Sequence, residues 1–375
     1  MLKIGVIGAG TMGHGIAELF AIKGHAVCLI DVNQRILDGA RNRILDSLKR
    51  LRSKDVLRED PGKVMDNLEF STRYEVLSQA DLVIEAVPEE LELKRSVFQK
   101  LEAIVGDETI LASNTSSIPI SQIARDLRRK ERVVGLHFFN PPILMKLVEV
   151  VPTPYTGERA ILFISSLAEE LGKIFLFLRK EVPGLASNRI FLRLVQEACR
   201  EVEEGEATVE QIDSAARTKL GLPMGPFELA DYVGLDVVIS IWRVVTSSGS
   251  PDVPCSTFKE KLKRGELGVK SGKGFYVYPE PGLFVKPKVQ GESPIQPEKL
   301  IALAANEASW IVSNGVLSLN EVETLTKFGL NFPKGIFEMV REIGPSKVLN
   351  TLLSLSKRGL RAYSPDPLLV QMYDT

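Results

Sequence analysis

Short apolar runs alternate with amphipathic stretches through the first half of the chain. Lys3–Ile7, Ala26–Ile30 and the runs 81–86, 109–112, 132–136, 146–151 and 173–178 are short and apolar, and turn residues flank most of them, which predicts strands. Apolar positions at helical spacing fill most of the intervals, as in 13–23 and 91–105. Strands alternating with helices predict an α/β domain over 1–183, its parallel-rich sheet covered on both faces. The segment 34–67 departs from this rhythm. It is long, helical in period and basic (Arg41, Arg43, Lys49, Arg50, Arg52, Lys54), and it predicts a helical hairpin inserted between two strands.

Pro183-Gly184 ends the alternation, and helical periods follow at 189–204, 208–220 and, after a Gly/Pro-rich turn at 221–226, at 227–245. These predict an all-α domain over 184–280. Residues 281–298 are rich in Pro and Gly and predict a linker. Beyond it the helical text returns at a constant offset of 110. Glu197-Ala198 becomes Glu307-Ala308, Gly205 becomes Gly315, and Pro223 becomes Pro333. Gly225 becomes Gly335, Phe227-Glu228 becomes Phe337-Glu338, and Gly234 becomes Gly344. A fixed offset across glycines, a proline and apolar positions predicts a duplicated helical repeat over 299–375.

Composition narrows the class. At 375 residues with 44% hydrophobic and 25% charged, the chain is an ordinary globular sequence able to bury a large core. A net charge of −1 gives no overall attraction to nucleic acid or to an anionic membrane. The apolar run at 161–178 is interrupted by Glu169, Glu170 and Lys173, so it predicts no membrane span. Cys28, Cys199 and Cys255 are odd in number and far apart in sequence, which predicts free, mostly buried thiols in a reducing compartment. The first strand begins at Lys3 with no room for a leader ahead of it, so a cytoplasmic location is expected.

Gly8-Ala9-Gly10-Thr11-Met12-Gly13 is a G-x-G-x-x-G turn. By itself the pattern is common. Here it follows a predicted strand, opens a predicted helix, and is followed by Asp31 at the end of the next strand, 18 residues past Gly13. The first glycine makes the turn, the second admits a pyrophosphate to the backbone, and the third lets helix and strand pack closely. An acid at Asp31 suits the two ribose hydroxyls of NAD and repels the extra phosphate of NADP, a preference that nearby Arg35 moderates. The domain is therefore expected to be a Rossmann-type NAD-binding fold.

Of three histidines, His14 and His25 lie in a helix start and a turn and have plain structural readings. His137 ends a predicted strand, where open α/β sheets place their chemistry, and Glu149 follows twelve residues on. Imidazole suits reversible proton transfer, and a carboxylate on its second nitrogen would fix the tautomer. Taken alone, a satisfied core histidine remains the better reading of His137.

The longer runs decide the matter. Asn114-Thr115-Ser116-Ser117, Gly135-Leu136-His137-Phe138-Phe139-Asn140-Pro141 and Met145-Lys146-Leu147-Val148-Glu149-Val150 come first. Pro183-Gly184 with Asn188-Arg189, Pro223-Met224-Gly225-Pro226-Phe227-Glu228-Leu229 and Lys270-Ser271-Gly272-Lys273-Gly274-Phe275-Tyr276 follow. In this order, over residues 1–280, the chain resembles the 3-hydroxyacyl-CoA dehydrogenase family, and the tail resembles the partial second helical domain of some members. Leu185 stands where the family usually has Phe, a difference next to the site that bears on acyl-chain fit.

The resemblance implies NAD-dependent oxidation of (S)-3-hydroxyacyl-CoA to 3-ketoacyl-CoA. It makes His137 the general base, Glu149 its orienting partner, Ser116 a ligand of the substrate's 3-oxygen, and Asn188 a group that holds the reacting centre. Gly8, Gly10, Thr11, Met12, Gly13, Asp31, Glu89, Lys94, Asn114 and Lys270 match positions around NAD, and Ser47 and Lys54 match contacts to CoA. The cationic hairpin agrees with that last pair, since CoA carries several phosphate charges. Asn188 plus 110 is Glu298, so a second active site is not expected, and the tail is expected to dock on 184–280 as an intrachain pseudo-dimer. Two rivals stand beside this reading: a dehydrogenase of a free hydroxy acid or sugar acid, and a structural protein that kept only the fold, as lens crystallins related to this family have. Association with an enoyl-CoA hydratase is a further expectation, although no hydratase sequence is visible.

Overall fold

The computed structural model describes residues 1–289 and 293–372. It divides into two compact units, Met1–Glu181 and Val182–Thr375. Strands β1 (Lys3–Ile7), β2 (Ala26–Ile30), β3 (Leu68–Ser71), β4 (Leu82–Glu85), β5 (Ile110–Ser113), β6 (Val133–Phe138), β7 (Leu147–Pro152) and β8 (Ile174–Phe177) form one sheet in the first unit. Their order is β3-β2-β1-β4-β5-β6-β7-β8. The chain runs outward from β1 to β2 and β3, then returns to β4 on the other side. That reversal opens a crevice at the carboxyl ends of β1 and β4, where α/β sheets bind ligands.

All neighbouring strands are parallel except β6 and β7. Only residues 139–146 join those two, fewer than a parallel crossover needs, so they close as an antiparallel hairpin. Helices α1 (Thr11–Ile22), α2 (Gln34–Ser53), α3 (Pro61–Met65), α4 (Leu91–Glu102), α5 (Ile120–Ile123) and α6 (Glu158–Leu171) complete the unit. Leu37, Ala40, Ile44 and Leu48, spaced three or four apart on α2, are fully buried and join Ile16 and Phe20 of α1 in the core over Val6 and Leu29. Each such side chain contributes about 1.5–3 kcal/mol by leaving water.

Two expectations for this unit change. The segment 34–67 is one long helix and one five-residue helix, and it leads to β3, a strand absent from the sequence reading. With only Leu68 and Phe70 apolar and one neighbour, this edge strand leaves too short an alternation to read.

The second unit is helical: α7 (Ala186–Glu203), α8 (Val209–Lys219), α9 (Pro226–Val233), α10 (Leu235–Ser247) and α11 (Ser256–Lys263), then α12 (Pro297–Ser313), α13 (Leu319–Phe328), α14 (Ile336–Ile343), α15 (Pro345–Lys357) and α16 (Pro367–Gln371). The expected single helix over 227–245 is two, broken at Gly234, whose φ of 105° belongs to glycine. Gly344, 110 residues later, has φ 104° and separates α14 from α15. Thr208 and Gln211 form a capping box at α8, as Ser318 and Glu321 do at α13. Asp213 accepts the N–H groups of Phe227 and Glu228, and Glu323, at the same offset, those of Phe337 and Glu338. Helices α7 and α12 pack along each other, and Arg358, the C-cap of α15, reaches Glu204.

The expected linker is held down where described. Arg217 donates to the Pro287 carbonyl, Lys219 to those of Ser293 and Ile295, and Phe284 meets the ring of Tyr232.

The cysteine expectation needs a larger correction. Cys199 and Cys255 form a disulfide, with Cα atoms 6.0 Å apart across 56 residues of sequence. Linear spacing hid the pair, because α7 and the start of α11 become neighbours only when the intervening helices fold back. Cys28 alone is free, and burial, with Glu69 beside it, pushes its thiol up to about 12. The cysteines thus lend no support to a reducing compartment. Among the described residues no helix is long and apolar enough to cross a membrane.

Candidate active site

The β6–β7 register sets His137 directly opposite Glu149. Residues paired across an antiparallel ladder point to the same face, so twelve residues of sequence become one contact. His137 Nδ1 lies 2.8 Å from Glu149 Oε2, and Nε2 lies 3.4 Å from Ser116 Oγ. Glu149 is fully buried and His137 nearly so, and the Phe139 ring packs 4.9 Å from the imidazole. A carboxylate at Nδ1 fixes that nitrogen as the donor and leaves the lone pair on Nε2, on the side of the Ser116 hydroxyl. The arrangement can take a proton at Nε2 and stabilise the cation that forms.

The turn after β5 is organised by Glu89. Its Oε1 accepts the hydroxyls of Thr115 and Ser117 and the backbone N–H groups of Ser116 and Ser117, at 2.6–2.9 Å. Burial pushes the Glu89 carboxyl up, but Lys94 and these donors outweigh it and hold the group below the usual carboxylate range. Asn114 accepts the Phe138 N–H at 2.9 Å, which ties this turn to the strand that carries His137.

Lys94 is buried, and its ammonium meets Glu85, Glu89 and the Val87 carbonyl. Glu85 was missed by sequence reasoning. Fully buried at the end of β4, it takes Lys94 at 2.7 Å, the Ser113 hydroxyl at 2.6 Å and the Val87 N–H at 2.8 Å. The signal was a lone acid closing an apolar strand, Leu82-Val83-Ile84-Glu85.

The glycine-rich motif forms the β1–α1 turn. Gly8 has φ 96°, and a Cβ on Gly13 would collide with the Gly8 carbonyl, while a Cβ on Gly10 would meet nothing within 4 Å. Gly10 offers no side-chain cap to α1, whose first turn also lacks an acid. Thr11 is exposed and Met12 half-buried beside this open helix end. Asp31 accepts the Ala9 N–H at 2.8 Å, bracing the turn from the end of β2. The open ground above Gly10 and the uncapped N–H groups fit a pyrophosphate, and a carboxylate at Asp31 fits a ribose diol.

Ser47 and Lys54 lie two helical turns apart, Ser47 half-buried on α2 and Lys54 at its C-cap, on one side that also carries Arg43 and Arg50. In the second unit, Asn188 is in the first turn of α7, after Leu185, which is buried with φ 58°. Lys270 pairs with Asp236.

Comparison with known proteins follows the same lines. The family model described as "3-hydroxyacyl-CoA dehydrogenase, NAD binding domain" matches residues 3–182, and the one described as its C-terminal domain matches 184–278 and 298–375. The mitochondrial hydroxyacyl-coenzyme A dehydrogenase of Rattus norvegicus is 40% identical over 284 residues, 73% of this chain and 90% of that protein. A probable 3-hydroxybutyryl-CoA dehydrogenase of Bacillus subtilis is 41% identical over 281 residues, 74% and 98% of the two chains. The crystal structure of 3-hydroxybutyryl-CoA dehydrogenase from Escherichia coli superposes with a TM-score of 0.86 at 29% identity, covering 99% of this chain and 98% of that one.

Proposed function

Since the chain belongs to the 3-hydroxyacyl-CoA dehydrogenase family, we propose that it oxidises (S)-3-hydroxyacyl-CoA reversibly to 3-ketoacyl-CoA, with His137 as general base and Glu149 orienting it. The observation that carries this reading is the cross-strand pair: Nδ1 on a buried carboxylate, Nε2 on the side of Ser116. His137 takes the hydroxyl proton at Nε2, Glu149 stabilises the imidazolium, and Ser116 steadies the 3-oxygen. Asn188 holds the reacting group, on the strength of the resemblance. Gly8, Gly10, Thr11, Met12 and Gly13 would hold NAD, which when bound would supply the acceptor for the hydride that leaves C3. Asp31 would engage its ribose, and Glu89, Lys94, Asn114 and Lys270 are further cofactor-binding positions on the strength of the resemblance. Ser47 and Lys54 bind CoA. Water addition to an enoyl thioester yields this substrate, so association with an enoyl-CoA hydratase is part of the proposal, as is action in the cytoplasm.

The test is NADH consumption with 3-ketoacyl-CoA, native chain against His137→Ala. The variant should lose ~10²–10⁴-fold in kcat, the scale of a missing general base, while NADH binding stays nearly unchanged. Near-native kcat would remove His137 from the mechanism, and turnover of free 3-keto acids in preference to their thioesters would favour the free-acid rival.

A second element of the proposal concerns the tail. We read 299–375 as a duplicate of 184–280 that covers it as an internal dimer partner would. Contacts between α7 and α12 support this. Arg189 of α7 meets Glu307 of α12, while Lys299, at the offset of Arg189, lies 4.0 Å from Glu201 of α7.

A further inference from the structure

One carboxylate of the second repeat holds two successive turns of the helix that carries Asn188. Glu307 Oε1 accepts Arg189 Nε at 2.6 Å, and Oε2 accepts Arg193 Nε at 2.8 Å. All three side chains are at least nine-tenths buried. Arg189 also donates to the Pro183 carbonyl at 3.2 Å and to Ser250 Oγ at 3.3 Å, and its guanidinium stacks 4.3 Å from the Trp310 ring centroid. Arg193 adds the Pro251 carbonyl and Ser250 Oγ, at 2.8 and 2.7 Å.

The start of α7 has an unusual cap. Its N-cap, Leu185, is a non-glycine residue at positive φ and gives no side-chain cap. Arg189 directly follows Asn188 in that first turn, so whatever grips its guanidinium bears on the frame of the turn and on the Asn188 amide. A buried ion pair adds little net stability over an apolar pair of the same shape, whereas a forked guanidinium–carboxylate contact fixes geometry. The tie is also one-sided. The residue equivalent to Glu307 in the first repeat, Glu197, is taken by Arg200 and Tyr363 rather than by Lys299.

We propose that Glu307, in the repeat that lacks the site asparagine, is a positioning residue for the active site, setting the pose of Asn188 through Arg189. This rests on the reading above that Asn188 holds the substrate. It gives the tail a part in turnover that a mere cover would not have.

The experiment is a double-mutant cycle on the full chain between Glu307→Gln and Asn188→Ala, read as kcat and as KM for NADH and 3-ketoacyl-CoA. Glu307→Asp serves as the charge-keeping variant should the glutamine fail to fold. Either Glu307 variant, folded and with its tail docked, should lose between ~10- and ~100-fold in kcat, the scale of a displaced catalytic group, with KM for NADH unchanged. Added to Asn188→Ala, it should cost little more. Backbone hydrogen exchange at 185–190 should speed up in the same variant. Unchanged kcat in a folded Glu307 variant, or a loss that simply multiplies with that of Asn188→Ala, would overturn the proposal. An inactive native chain would overturn the function reading and this proposal with it. An active chain in which Asn188→Ala costs nothing would remove only the role of Asn188 and the positioning built on it.

Discussion

Glu18 shows how far a single residue can depart from its sequence context. It is an acid on α1 that reads as a surface position, yet it is 1% exposed, and its Oε1 has no hydrogen-bond partner. Burial pushes its carboxyl up to about 7, against smaller opposing effects of Ser47 and Arg50. A folded-state value above the unfolded one means stability that is full below about 4.5 and is lost as pH rises through about 7. Replacing Glu18 with Gln should remove that dependence and stabilise the chain at pH 8 by up to ~3 kcal/mol relative to its effect at pH 4. Urea denaturation of both proteins at the two pH values measures this, and parallel pH curves would show that Glu18 stays ionised in the fold. Residue surroundings were legible where a motif supplied context, as for His137 beside Glu149. They were illegible for Glu85 and Glu18, whose burial arises only when β4 or α1 is covered by its neighbours.

Among the elements, α2 has the clearest two-sided character. One stripe is core, and the side bearing Arg43, Ser47, Arg50 and Lys54 is cationic and half or more exposed. If that side receives the phosphates of CoA, Lys54→Ala should raise KM for acyl-CoA several-fold, on the order of one lost charge-assisted contact, and spare KM for NADH. Unaltered acyl-CoA kinetics would return α2 to a plain solvated helix. Strand and helix positions were largely readable from period alone, with two failures that share a cause. Edge strand β3 has a single neighbour, and the break at Gly234 rests on one backbone angle; neither leaves a pattern long enough to register.

For the whole molecule, the offset of 110 residues is the long-range signal in the sequence, and Gly234 and Gly344 at that offset both take positive φ between two helices. Which surfaces then meet was less readable. The Arg189–Glu307 contact joins positions 118 apart, and the disulfide joins helices that the sequence gives no reason to pair. Removing 299–375 would expose the apolar and charged face of α7, including Arg189 and Arg193 without their carboxylate. Leaving that apolar face in water costs ~25 cal/mol per Å². The truncated chain should therefore dimerise, aggregate or melt clearly earlier, as light scattering and thermal denaturation would register. A truncation that stays monomeric, soluble and equally stable would sink the internal-partner reading.

The hairpin of β6 and β7 has a consequence for the order in which the site comes into being. His137 and Glu149 are near neighbours along the chain, joined by a short turn, and hairpins close in ~1–10 μs. The crevice beside β1, by contrast, needs that strand to find β4 some eighty residues away, and distant parallel pairings are slow to form. The His137–Glu149 pair is thus a local product of the folding chain, formed ahead of the crevice between β1 and β4.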